Sequence, residues 1–218
     1  MISLNKIQAL LPKCCEADAI DLSKLSENEK ELLSEFLPDF QSVIVMAHHV
    51  KHSLEWSWFP FEASREGSVH PADLHLQAEA QKVMYCLDKM GYQSSLIPYP
   101  GKCGIRFKNI ADKTGLGKIG DNFLFLHKEW GPWTHLRVIL TNAEIINCLK
   151  SCEEVCIHCG ACRTACPANA IKENELLGTT CGAYQHSVAQ TIPAYEYNCE
   201  VCVRICPIGA SPKSVSIT

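Results

Sequence analysis

Two periodicities organise the hydrophobic positions of the chain. Leu76, Ala80, Val83, Met84, Leu87 and Met90 recur at i, i+4, i+7, i+8, i+11 and i+14, one face of an amphipathic helix. Pro71 suits the first turn of that helix, and Gly91 ends it. Ser42–Val50 (SVIVMAHHV) is instead an unbroken β-branched run and predicts a buried strand. Tyr92–Ile97, Asn122–His127 and Thr134–Thr141 predict three more strands, the last two linked through Gly131-Pro132. Ile105–Thr114 predicts a short helix. From Met1 to about Phe40 the pattern reads as helical and acidic, with a Ser26/Glu29 capping box ahead of Leu32, Leu33, Phe36 and Leu37. His52–His70, with Trp56, Trp58, Phe59 and Phe61, predicts a long ordered loop, and Pro98–Gly101 a turn. Strand signals fade beyond Asn142. The pattern predicts an α+β lobe over residues 1–145 and a small cysteine-rich module over 146–218.

Composition adds little until the cysteines are counted. Of 218 residues, 47% are hydrophobic and 20% charged, which excludes disorder, collagen and coiled coil. A net charge of −4 gives no global field to attract nucleic acid. No apolar run approaches the roughly 18 residues of a membrane span, and Gln8 and Pro12 interrupt the only apolar stretch at the N-terminus. A cytoplasmic protein with no membrane partner is therefore expected. Its 14 cysteines are not a disulfide scaffold, because a reducing cytosol would not keep such bridges closed. Eight of them lie between Cys156 and Cys206, seven in two tight runs, which points to metal or iron–sulfur ligation.

The first run is Cys156-Ile-His-Cys159-Gly-Ala-Cys162-Arg-Thr-Ala-Cys166-Pro167, the C-x2-C-x2-C-x3-C-P spacing of two-cluster ferredoxins. Three close thiolates wrap one cubane, and the fourth, carried past a proline turn, reaches a different one. The second run, Cys199-Glu-Val-Cys202-Val-Arg-Ile-Cys206-Pro207, lacks one early cysteine, and Cys181 is its replacement. The expected ligand sets are Cys156, Cys159, Cys162 and Cys206 for one [4Fe–4S] cluster, and Cys166, Cys181, Cys199 and Cys202 for the other. A pair of zinc sites is the weaker reading, since zinc has little use for two C-x3-C-P endings. Cys148 and Cys152, spaced to share a helical face with Cys156, read as small buried hydrophobes ahead of an extra ligand or redox relay. Cys14, Cys15, Cys86 and Cys103 carry no spacing signal.

Gly115-Leu-Gly117-Lys-Ile-Gly120 matches G-x-G-x-x-G, but a helix precedes it and a strand follows, the reverse of a dinucleotide-binding unit. Its glycines instead let backbone pass close to something flat, or form a tight turn. His48, His49 and His52 lack the glutamate of a helix-borne H-E-x-x-H and read as polar packing, with a pocket acid/base role as the alternative. His158, inside the first cluster loop, either donates to a cluster sulfur or faces solvent. Lys102, Arg106, Lys108, Lys113 and Lys118 read as a solvated face ahead of an anion site.

The segment Thr114-GLGKIGDNFLFLHKEWGPWTHLRVILTNAEI-Ile146, followed by the cysteine pattern, resembles the epoxyqueuosine reductase family, over roughly Ser42 to Pro207. The resemblance implies a nitroreductase-like α+β lobe followed by a two-cluster ferredoxin-like module. It also implies a cobalamin between the two, bordered by Gly115, Gly117 and Gly120, in a cofactor arrangement related to that of reductive dehalogenases. Lys118 and Asp121 replace the family's Trp and Lys, and Gly101 stands where the family carries a proton-donating Asp. The chain ends at Thr218 without the family's C-terminal helical repeats, which help hold tRNA. The expectation is a reductase passing electrons from an external low-potential donor through two [4Fe–4S] clusters to a corrinoid, with a small-molecule substrate. Epoxyqueuosine in tRNA is not the expected substrate. The alternatives are a non-catalytic electron-transfer or corrinoid-handling protein serving a partner redox protein, and a relic that binds clusters without cobalamin.

Overall fold

The structure is a computed structural model that describes residues 1–56, 59–60, 68–99, 104–146, 148–189 and 199–209. In chain order the elements are β1 (Ile2–Ser3), α1 (Leu4–Gln8), β2 (Cys15–Asp21), α2 (Glu27–Ser34), β3 (Ser42–His49), β4 (Phe59–Pro60), β5 (Ser68–Val69), α3 (Pro71–Lys89) and β6 (Ser94–Leu96). There follow α4 (Phe107–Ala111), β7 (Gly117–Ile119), β8 (Phe125–His127), β9 (Thr134–Thr141), β10 (Ile145–Ile146), α5 (Ala161–Ala165), α6 (Gly178–Ala189) and α7 (Val201–Arg204).

The central sheet runs β2-β3-β9-β6, with every neighbouring pair antiparallel. β3 is apolar from Val43 to Ala47 because both of its faces are covered there. Val43, Val45 and Ala47 pack with Leu33, Leu37 and Phe40 around α2, and with Phe107 and Ile110 of α4. Ile44 and Met46 point the other way, against Leu76, Ala80, Val83 and Leu87 of α3. The helical stripe read from the sequence is thus the buried face of α3. Pro71 takes its first turn, and Gly91 follows it at φ 83°. The Ser26/Glu29 capping box begins α2 as expected.

Several strands depart from the sequence reading. β1 and β2 lie within the segment expected to be helical, β4 and β5 within the expected long loop, and β10 beyond Asn142, pairing in parallel with β1. In β2, Cys15, Ala17 and Ala19 pack on the α3 side and Ile20 on the other. Alternation places this edge strand, although alanine and aspartate carry little β signal. Asp18, 1% exposed, accepts hydrogen bonds from the N–H groups of Ala19, Gly115 and Leu149 at 2.7–2.9 Å. Burial raises its pKa against the pull of those three donors. One carboxylate thereby ties the sheet edge to the glycine segment and to the approach to the cysteines. The predicted helical face for Cys148 and Cys152 is absent among the described residues, where that stretch is irregular. Cys148 packs against the α3-side core. The predicted turn at Pro98–Gly101 and Cys103 fall partly or wholly outside the described residues, as do Trp58 and Phe61.

Candidate iron–sulfur centre and adjoining cavity

The first cysteine run folds as a loop that turns into α5 at Gly160, whose φ of 71° lets Cys159 and Cys162 approach from either side. Cys156, Cys159, Cys162 and Cys206 line one recess, together with Asp121, Asn122, Leu126 and Pro207. Residues 50 apart in sequence are thus drawn to one point. Cys166 closes α5, turns away before Pro167, and receives the Ala170 N–H on its sulfur at 3.3 Å. Its company is the other set: burial and then the charges of Cys199 and Cys166 raise Cys181, which sits on α6. Cys202, on α7, responds first to burial and then to Cys199 and Cys181. Two groups of four thiols fit two cubanes ligated crosswise between the runs.

Beside the second group lies an open cavity of 440 Å³, walled by Trp56, Tyr99, Phe107, Phe125, Leu136 and Cys199, with His70, Lys108, Thr134, His135 and Glu200 adding polar groups. It is built where α7 meets the lobe: Val203 packs with Val50, Ala72 and Trp133, and Trp56 stacks on Trp133 at 5.1 Å. Behind the wall, Asp73 receives His135 Nε2 at 2.8 Å and the Arg137 guanidinium at 2.7 and 2.8 Å. Burial would raise Asp73, but His135 and Arg137 outweigh it and hold the carboxylate below its usual range. Burial together with the proximity of Asp73 pushes the Tyr99 phenol up to about 12, with Arg137 offsetting part of the rise. The phenol keeps its proton at neutral pH.

His70 caps α3, its Nδ1 accepting from Asp73 N at 3.3 Å. Burial, and then the charge of His135, pulls its pKa down to about 4. An unfolded histidine titrates near 6.5, so between these values the unfolded chain binds the extra proton. The associated stability is complete above about pH 6.5 and is lost as pH falls toward 4. From pH 7 to pH 5 the loss should reach about 1–2 kcal/mol. His70→Asn keeps a capping acceptor and should remove that part of the pH dependence. Thermal unfolding at the two pH values checks this, and equal slopes for parent and variant would contradict it.

The three glycines of Gly115–Gly120 face the chain itself. A Cβ on Gly115 would meet Lys150 O at 2.3 Å, one on Gly117 would meet Leu126 O at 2.0 Å, and one on Gly120 the Leu126 side chain at 2.4 Å. The segment is a β-hairpin (β7–β8), not a strand–helix turn. The residues after it, Asp121 and Asn122, border the first cysteine recess, and Leu124 and Phe125 border the cavity. The histidines at the end of β3 diverge. His48 Nε2 meets Glu55 Oε2 at 2.9 Å, and His49 stacks on Trp130 at 5.1 Å. The ring nitrogens of His158 meet Asp121 at 2.8 Å and Glu154 at 3.1 Å. The basic residues are used locally, Lys108 on Phe123 O, Lys113 on Glu29 and Lys118 on Asp112.

A family model described as a 4Fe-4S binding domain matches residues 153–172. An epoxyqueuosine reductase of Atelocyanobacterium thalassa is 25% identical over 209 residues, 86% of this chain and 65% of that one. One from Aliivibrio fischeri is 29% identical over 142 residues, 61% of this chain and 37% of that one. In sequence the chain is similar to epoxyqueuosine reductases. The solved epoxyqueuosine reductase of Streptococcus thermophilus superposes on this chain with TM-score 0.70 at 18% identity, over 94% of this chain and 64% of that one. A reductive dehalogenase structure that suggests a mechanism for B12-dependent dehalogenation gives TM-score 0.54 at 18% identity, over 77% of this chain and 25% of that one. The fold class is therefore the expected one, an α+β lobe followed by a ferredoxin-like 4Fe-4S module. The chain spans between 37% and 65% of the length of these two curated relatives. No helix among the described residues is long and apolar enough to cross a membrane.

Proposed function

We propose that this chain is a cytoplasmic reductase in which residues 146–218 carry electrons to a site in the lobe formed by residues 1–145. Cys156, Cys159, Cys162 and Cys206 hold one [4Fe–4S] cluster, and Cys166, Cys181, Cys199 and Cys202 hold the other. An external low-potential donor supplies the electrons. The observation that carries this reading is the cavity walled by Cys199, which sets a cluster ligand against a space open to a small molecule. The wall suits a flat macrocycle fringed with amides: Trp56, Phe107, Phe125 and Leu136 give apolar surface, and Thr134 and Lys108 give hydrogen-bonding groups. A corrinoid bound there would supply low-potential cobalt chemistry to the substrate. Gly115, Gly117 and Gly120 hold the hairpin that separates this space from the first cluster, and their contacts are with the chain.

Tyr99 holds the proton at its Oη, 3.5 Å from His70 Nε2. It stands two residues before Gly101, where the expected carboxylate is missing. So weak an acid protonates only a strongly basic centre, such as the carbanion left by reductive bond cleavage. The Arg137 guanidinium, 5.6 Å from the Tyr99 ring centre, favours the phenolate that results. A small-molecule substrate fits the cavity. The relatives' names favour a second reading, epoxyqueuosine in tRNA, which turnover of that RNA by this chain would establish.

Titrating cobalamin into the cluster-loaded chain tests the reading. Binding at micromolar levels is expected, with co-elution and a changed visible spectrum, and Tyr99→Phe should bind equally while losing product formation. Failure to bind would leave the non-catalytic electron carrier.

A further inference from the structure

We propose that Cys14, Cys15, His48 and His75 bind one zinc ion, remote in sequence from the iron–sulfur cysteines and independent of them. The four ligand atoms all lie within 4.8 Å of one another. Cys15 Sγ is 3.6 Å from His48 Nδ1 and 3.8 Å from His75 Nε2, and Cys14 Sγ is 3.8 Å from the same His75 nitrogen. Tetrahedral zinc, with Zn–S of about 2.3 Å and Zn–N of about 2.0–2.1 Å, sets sulfur and nitrogen about 3.6 Å apart. Three of the six separations are already near those the ion imposes, and the others lie within 4.8 Å.

The fold produces this arrangement from three elements. Cys15 lies directly opposite His48 in the β2–β3 pairing, so their side chains rise from the same face of the sheet. Cys14 precedes it, held by a hydrogen bond from His49 N to its carbonyl at 2.8 Å. His75 descends from α3, its ring 4.5 Å from that of His48. The outer contacts fit as well. Glu55 Oε2 takes His48 Nε2 at 2.9 Å, which makes that nitrogen the donor and leaves the Nδ1 lone pair toward Cys15. The other Glu55 oxygen is fixed by the N–H groups of Lys51 and His52 at 2.9 Å.

Charge points the same way. Glu79, one turn beyond His75, is 5% exposed and acts electrostatically on Cys15. Its Oε1 pairs with Lys82, but its Oε2 has no hydrogen-bond partner among the described residues. Ligation would ionise the two thiols, and a divalent cation would offset their charge together with that of this carboxylate. Two sulfurs and two imidazoles in a closed tetrahedron select zinc and leave no open position, so the ion staples β2, β3 and α3 together.

Metal analysis of the full chain, purified anaerobically with its clusters loaded, tests this. About one zinc per chain is expected beyond the iron. Cys14→Ser and His75→Gln should each lose it with iron and sulfide unchanged. Glu55→Gln should weaken zinc about 10–100-fold in chelator competition. Should those variants fail to fold, cobalt(II) added to the parent chain should give the intense visible bands of a tetrahedral thiolate site, discharged by zinc. A zinc-free parent, variants that keep their zinc, copper or iron at the site, or the weak spectrum of octahedral cobalt would each overturn the proposal.

Discussion

Cys166→Ala is expected to halve the iron and acid-labile sulfide of the chain by removing the cluster at the far end of the sequence. The parent, purified anaerobically, should carry about eight of each, and the variant about four. Cys166 belongs to the first run by sequence, but its sulfur turns away at the end of α5, and the thiols acting with it are Cys181 and Cys199. The recess of the first run is completed by Cys206 instead. The surviving signal should therefore be that of the cluster at Cys156, Cys159, Cys162 and Cys206, and Cys206→Ala should remove the other one. If Cys166→Ala instead spares the cluster of Cys181, Cys199 and Cys202 and destroys that of its own run, the crossed assignment is wrong. Zinc in place of iron at these eight positions would be worse for it still.

The second large effect concerns stability. Asp73→Ala leaves the Arg137 guanidinium, 5% exposed, without its two ionic hydrogen bonds of 2.7 and 2.8 Å, and among the described residues Ile97 O at 3.1 Å is the hydrogen-bond acceptor that remains to it. His135 loses its partner in the same step. An uncompensated buried charge costs about 3–5 kcal/mol. For a chain of this size that is on the order of 10 °C in Tm. Asp73→Ala with Arg137→Met removes both charges and should recover much of the loss, because an apolar pair of similar volume needs no desolvation to be repaid. Calorimetry of the parent, single and double variants checks both statements. A single variant as stable as the parent would show that water, not Asp73, carries the Arg137 charge.

What could be read from the sequence follows from where each interaction's partners lie. The two cysteine runs were legible because their spacing is that of cubane ligation, whereas the expected sets also need Cys166, Cys181 and Cys206, which come from outside each set's own run. β3, β9 and α3 were legible because their apolar positions face a core on both sides or along one stripe. β2 was not, since Cys15–Asp21 contains a single β-branched residue, Ile20, and its fixed point is Asp18, bonded to backbone 97 and 131 residues away. The cavity was equally hidden, being assembled from Trp56, His70, Tyr99, His135 and Cys199, which no local spacing connects. Cys14 and Cys15 looked idle for the same reason. Their partners come from a neighbouring strand and a helix, and register rather than motif brings them together.

The expected route of electrons from the clusters is the cavity at Cys199. Its most direct test is anaerobic mixing of the pre-reduced, cluster-loaded chain with cobalamin, followed in the visible region, for the parent and for a variant with Thr134→Trp filling the cavity. The account predicts that cluster oxidation and the corrinoid's spectral change proceed together in the parent, and that the filled variant keeps its clusters but loses the transfer. Transfer in the filled variant as fast as in the parent would contradict it.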